Sequence, residues 1–349
     1  MVTLKEIAEI CNVSTATVSN VINGKSKTSK ETADRIRAVI EETGYRTNVV
    51  ARGLRTRRTN MVALIVEDVA QFTSPTLVSG IMSLCEERGF RVVLYNLRLY
   101  DRWSDTWYDQ EAKYHSVLDP VLQGVLAAGA DGVIYLAGHA RIIRCFPEHF
   151  PIPAVMSYAF SDSVRVPSVV IDDETSTQEV VSHIIDRGHR RIGFIGGRED
   201  NLHTRLRLDG YRRALHAAGI PFDPELIYYA SWTRESGYEG AKAICARNVS
   251  SIFAITDRMA GGVYDYLEET GRVVGRDISV AGFDDESIAA FFRPALTTTA
   301  LPLYEIGRVS AGLLIDRLEK GAGEMPAQPQ VIRVPCSFIE RSSVGRHTA

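Results

Sequence analysis

Between Leu4 and Gly44 apolar residues recur every three or four positions, in three short blocks. Leu4, Ile7, Ala8 and Cys11 stand at i, i+3, i+4 and i+7, the spacing of a first helix. A second begins after Ser14, a residue type that caps helix N-termini, and runs to about Ile22, where Asn23-Gly24 stops it. A third runs from Ser29 to Gly44, with Ala33, Ile36, Val39 and Ile40 as its apolar stripe. From Met61 the rhythm changes: β-branched runs such as MVALIVED, GVIYLA, SVVID, RIGFIGG, SIFAITD and ISVAGFDD alternate with helical stretches. That alternation predicts parallel sheets with helices on both faces. About ten strands in some 290 residues exceed one small sheet, so two α/β lobes with a cleft between them are expected.

Charge sharpens this division. The net charge is −3, but residues 1–58 hold 11 Lys and Arg against 6 Asp and Glu, and the remainder 29 against 37. A basic head on an acidic body points to a head that meets a polyanion. The five cysteines (Cys11, Cys85, Cys145, Cys245, Cys336) never fall at metal spacing and read as free thiols. No apolar run reaches the length of a membrane helix and the start lacks a signal-peptide core, so a cytoplasmic protein is expected.

The second helix carries Val13, Val18, Val21 and Ile22 toward the first helix and turns Thr15, Ala16, Thr17, Ser19 and Asn20 outward. A helix-turn-helix lays such a face in the DNA major groove. Short hydroxyl side chains let the backbone approach and donate to phosphates. Asn20 can bond adenine at N6 and N7 together, where Arg would favour guanine.

The order VTLKEIAEICNVSTATVSNVINGKSKTSKETADRIRAVIEETGY, then NVVARGLRT, resembles the lactose-repressor/galactose-repressor family of bacterial transcription regulators. The resemblance continues through VVIDDETS, DRGHRRIGFIGG, RLDGYRRAL, TDRMAGGVYDYL, DISVAGFDDESIA and SFIERSS, over nearly the whole chain. It implies a small all-α helix-turn-helix head plus an α/β two-lobed, periplasmic-binding-protein-like (type I) effector domain. The expected divisions are 1–46 for the head, 47–59 for a hinge helix, and 60–349 for the body. Within the body, the first lobe is expected at about 60–160 and 293–322, the second at about 161–292 and 323–340. Ser14, Thr3, Asn23 and Lys27 complete the DNA-facing set of the head.

The resemblance makes residues 48–56 a hinge helix, and the physics agrees: so short a segment is below the ~12–15 residues an isolated helix needs in water. It should fold on DNA, with Asn48 as its cap, Arg52 and Arg55 on phosphates, and Leu54 as a wedge between base steps. Three positions depart from the family pattern: Asn20 stands where Arg is common, Thr47 where Pro is common, and Thr256 where Asn or Asp is usual.

Ligands of open α/β sheets bind beyond the carboxyl ends of the strands. Those ends offer Phe72, Ser74, Arg207, Trp232, Thr256 and Asp284, and the resemblance places Phe72, Arg207, Trp232, Thr256 and Asp284 near an effector. Arg and Asp together clamp hydroxyls through charge-assisted bonds, and Trp232 suits a sugar face or a planar base. A carbohydrate is favoured; a purine or phosphorylated metabolite stays open. Asp257 reads as the cap of the following helix, and His183 and His189 as structural. Residues 95–114, with Trp103, Trp107 and four tyrosines, are either a surface insertion packing its own aromatics or a lid on the effector. No nucleophile elbow, phosphate-cradling loop or metal cluster is found, so an enzyme, a cofactor and a catalytic residue are not expected. The expected partners are a roughly palindromic operator in double-stranded DNA, a small effector, and a second copy of the chain. The stripe Leu77, Val78, Ile81, Met82 and Cys85 is the expected dimer surface; no membrane contact and no coiled-coil tail are expected.

Overall fold

The computed structural model describes residues 2–22, 28–45, 58–104, 106–108, 110–321 and 328–347. It contains two compact units, residues 1–59 and 60–349.

The first unit is three helices: α1 (Leu4–Ile10), α2 (Thr15–Ile22) and α3 (Lys30–Thr43). A capping box starts α1: Thr3 Oγ1 accepts from the Glu6 amide, and the Thr3 amide donates to Glu6 Oε2 at 2.7 Å. Gly44 ends α3 at φ 61°, a left-handed conformation that costs glycine little. Ile7, Val18, Val21 and Ile36 are buried between the helices, with Val13 and Ile22 half-buried against them.

The second unit holds two parallel sheets. The first takes β1 (Met61–Val66), β2 (Arg91–Asn96), β3 (Gly132–Leu136), β4 (Ala154–Ser157), β5 (Ser168–Ile171) and β11 (Val331–Val334) in the order β11-β5-β4-β3-β1-β2. The second takes β6 (Ile192–Gly196), β7 (Ile227–Tyr229), β8 (Ser251–Ala254) and β9 (Ser279–Ala281) in the order β7-β6-β8-β9. An antiparallel pair, β10 (Thr298–Ala300) and β12 (Ser337–Ile339), completes the set. The central strands β3, β4, β6 and β8 are buried at every position, which is why they read as unbroken apolar runs.

Helices connect the strands. In the first lobe these are α4 (Ser74–Glu87), α5 (Leu99–Trp103), α6 (Glu111–Ala127) and α11 (Leu303–Lys320). In the second they are α7 (Asp173–Asp186), α8 (Leu202–Ala217), α9 (Arg234–Cys245) and α10 (Asp257–Glu269). Helices α4 and α11 cross closely: a Cβ on Gly80 would lie 2.1 Å from the Tyr304 carbonyl oxygen, and one on Gly307 2.3 Å from that of Leu77. No described helix is long and apolar enough to cross a membrane.

Two expectations change here. The division near residue 160, and the placing of 323–340 wholly in the second lobe, give way: β5 pairs with β4 and β11 pairs with β5, so both belong to the first sheet. The reason is the ladder itself, because a parallel edge strand bonds its neighbour whatever lobe its sequence neighbours occupy. The stripe on α4 is also mostly internal: Leu77, Ile81 and Cys85 are fully buried within the chain, and Met82 alone of the five is exposed.

Candidate functional site

In the first unit Ser14 and Thr17 hydroxyls lie 2.9 Å apart, and Ser14 Oγ accepts from the Thr17 amide, so Ser14 starts α2. Thr15, Ala16 and Asn20 are exposed on one face; Thr17 and Ser19 are half-buried at its margin. Thr3 is exposed as well, with its hydroxyl engaged in capping α1. Asn23, Lys27, Asn48, Arg52, Leu54 and Arg55 lie outside the described residues.

In the second unit Arg207 and Asp284 come together. Arg207, on α8, is 2% exposed; its Nε donates to Asp173 Oδ1 at 2.8 Å, and its Nη1 donates to the Ile255 carbonyl and to Asp284 Oδ1, the latter at 3.5 Å. The guanidinium lies over the Phe283 ring, 3.8 Å from its centroid. Burial works against the Arg207 charge, but Asp173 and Asp284 outweigh it and raise the pKa. Asp284 follows β9 at φ 108°, a conformation non-glycine residues rarely adopt. Burial pushes its carboxyl up to about 7, although Arg207 pulls the other way. The arrangement is a charged guanidinium donor beside a carboxyl acceptor at a strand end, suited to clamping adjacent hydroxyls.

Thr256 adjoins the Ile255 carbonyl and caps α10, its hydroxyl accepting from the Met259 amide at 3.2 Å. The cap expected of Asp257 is therefore made by Thr256. Asp257 instead accepts from the Thr298 hydroxyl at 2.5 Å and the Glu286 amide at 2.8 Å, and burial, then Asp284, raises its pKa well above the carboxylate range. Trp232 is half-buried over the end of β6, where a Cβ on Gly197 would meet its ring at 2.6 Å. Phe72 is 48% exposed before α4. Ser74 is buried with its hydroxyl donating to the Asp68 carbonyl at 2.8 Å, so it holds the turn instead of facing open space.

Two residues missed in the sequence complete this cluster. His203, one turn before Arg207 on α8, places Nδ1 2.9 Å from Asp173 Oδ2, and its Nε2 accepts from the Ala140 amide at 3.0 Å. Since Nε2 accepts, Nδ1 carries the proton toward Asp173. The i, i+4 spacing of His203 and Arg207 was a visible signal; their shared partner, 30 and 34 residues away, was not. His189 is held by the Ser250 hydroxyl and the Gly345 carbonyl.

The aromatic segment packs inward. Trp107 is fully buried, edge-on to Tyr100 at 5.5 Å, with the Arg141 guanidinium 4.4 Å from its centroid. Arg141 in turn pairs with buried Glu67, which also accepts from the Tyr135 hydroxyl and the Gly138 amide. The segment thus covers the carboxyl ends of β1 and β3 with its own rings.

Residues 3–48 match the model of bacterial regulatory proteins of the lacI family, and residues 181–344 that of a periplasmic binding protein-like domain. Catabolite control protein A of Priestia megaterium is 31% identical, over 91% of this chain and 93% of its own. The HTH-type transcriptional regulator CelR of Thermobifida fusca is 33% identical, over 90% and 92%. The solved complex of the regulator CelR with cellobiose superposes with a TM-score of 0.63 at 28% identity, covering 98% of this chain and 100% of that one.

Proposed function

Given that the chain belongs to the lacI family of bacterial regulatory proteins, and is therefore a transcriptional regulator with a DNA-binding head and an effector domain, we propose that it is a repressor whose cleft binds a carbohydrate. The observation that carries the effector class is the buried Arg207–Asp284 pair at the end of β9, with Trp232 at the end of β6 in the same sheet. A charge-assisted clamp beside an indole face suits the edge and face of a pyranose. The CelR–cellobiose complex supports the same class.

Two copies of the chain bind a roughly palindromic operator, each laying the Thr15, Ala16 and Asn20 face of α2 in a major groove. The segment carrying Asn48, Arg52, Leu54 and Arg55 adds contacts to the same duplex, with the arginines on phosphates and Leu54 toward the minor groove. The effector acts by binding one lobe arrangement better than the other, which shifts operator affinity by that difference. The protein works in the cytoplasm and catalyses no reaction.

The test is a titration of the full chain with cellobiose, glucose, glucose 6-phosphate and adenosine, read by melting temperature and tryptophan fluorescence. A sugar is expected to raise the melting temperature of the wild type and not of Asp284→Ala. A response to adenosine alone moves the effector to the purines. Operator binding unchanged by any ligand that binds removes the allosteric part of the reading.

A further inference from the structure

The aromatic segment does more than fill space. Tyr100 touches the turn after β3 twice. Its hydroxyl lies 2.7 Å from His139 Nδ1, and a Cβ on Gly138 would lie 2.6 Å from the same hydroxyl. The rest of the turn is pinned from the first lobe: the Thr73 hydroxyl donates to the Gly138 carbonyl at 3.1 Å, and the Gly138 amide donates to Glu67 at 2.8 Å. The next residue, Ala140, is the one that reaches across, giving its amide to His203 on the second lobe at 3.0 Å. Both members of that bond are buried, Ala140 at 1% and His203 at 4% exposure. Tyr158 packs on the His203 ring at 5.8 Å and adopts φ 62°, so the first lobe presses on the same imidazole from a second strand end.

We propose that Tyr100 is a positioning residue: it sets the His139–Ala140 turn so that the Ala140 amide latches onto His203, and thereby fixes how readily the two lobes close. The latch runs from Tyr100 through the turn to His203, Asp173 and Arg207, and so joins the first-lobe aromatic segment to the effector clamp. The geometry explains a segment otherwise long for a connection between β2 and α6. A buried amide that loses its acceptor is left unsatisfied, so the latch is either made or the lobes separate enough for water to replace it. The inference rests on the proposed cleft reading for its meaning, but its readout does not.

Backbone amide exchange at Ala140, followed by NMR on the full chain, tests it in the wild type, Tyr100→Phe, His203→Ala, His203→Gln and the Tyr100→Phe/His203→Ala pair. Tyr100→Phe keeps the ring packed and removes only the hydroxyl. Each of Tyr100→Phe and His203→Ala is expected to speed Ala140 exchange about tenfold, the worth of one buried hydrogen bond, while Val133 in β3 stays protected. The pair is expected to exchange no faster than His203→Ala alone, and His203→Gln, which keeps an acceptor, to recover most of the protection. Wild-type exchange in Tyr100→Phe overturns the proposal, as does a pair in which the two effects multiply. Failure of the wild type to bind any duplex selected from a random pool would count against the proposed function and leave the exchange result standing.

Discussion

Asp284 combines two costs at one residue: a positive φ, worth on the order of 1–3 kcal/mol of strain, and a buried carboxyl titrating at about 7. The unfolded carboxyl titrates near 4, so the folded value is raised, and the stability tied to its proton is present below pH ~4 and lost as pH rises to about 7. Asp284→Asn, which keeps shape and never ionises, should therefore match the wild type near pH 4 and exceed it in denaturant midpoint at pH 8. An equal difference at both values would show that the carboxyl is not held protonated. Thr256 makes a separate, local contribution. Thr256→Ala is expected to lower stability by about 1 kcal/mol through the lost α10 cap, with Thr256→Ser restoring it in the same melts. At this scale Asp284 was legible because it follows a strand, where ligands of such sheets gather, whereas Arg207, inside α8, was legible through the family resemblance. Asp173 and His203 were not: an ion pair across 30 residues leaves no periodic mark, and only the fold brings the two together.

Among the elements, α2 is the one whose surface departs most from a core helix, with a cap, two buried valines and an exposed Thr15–Ala16–Asn20 face. Asn20→Arg is expected to move the preferred base in each half-site from adenine toward guanine, as read by selection from random duplexes. An identical selected motif for both proteins would mean that Asn20 does not read that base. The three helices of the head were readable from spacing and caps alone, because local signals fix short helices at their ends. The stripe on α4 shows the opposite case. Its Leu77–Ile81–Cys85 periodicity is the same whether a helix faces its own chain or a partner, and here α11 takes it at a crossing where Gly80 and Gly307 leave no room for side chains. Residues 95–114 could not be decided from composition either, since aromatic clusters serve lids and cores alike; in the fold Trp107 is buried against Tyr100.

For the molecule as a whole, pairing of two copies has a surface available. Val93 and Leu94 on the edge strand β2, with Met82 on α4, remain exposed at 38%, 40% and 48%. Apolar side chains on an open sheet edge invite a partner. The double substitution Val93→Asp/Leu94→Asp should turn a dimer into a monomer by sedimentation and weaken operator binding steeply, because two half-sites would then be held independently. Retained dimer mass would place the contact elsewhere. The two-sheet architecture was evident from the strand–helix alternation, but the partition between the sheets was not, because β5 and β11 are the last strands of the first sheet before the chain leaves it, and nothing in their composition marks which side of the boundary they take. The chain consequently passes between the sheets three times: after β5, on the way from β9 to α11, and between β11 and β12. A door hung on one pin wobbles; one hung on three is held. Cutting or loosening one crossing therefore leaves the two sheets joined at the other two.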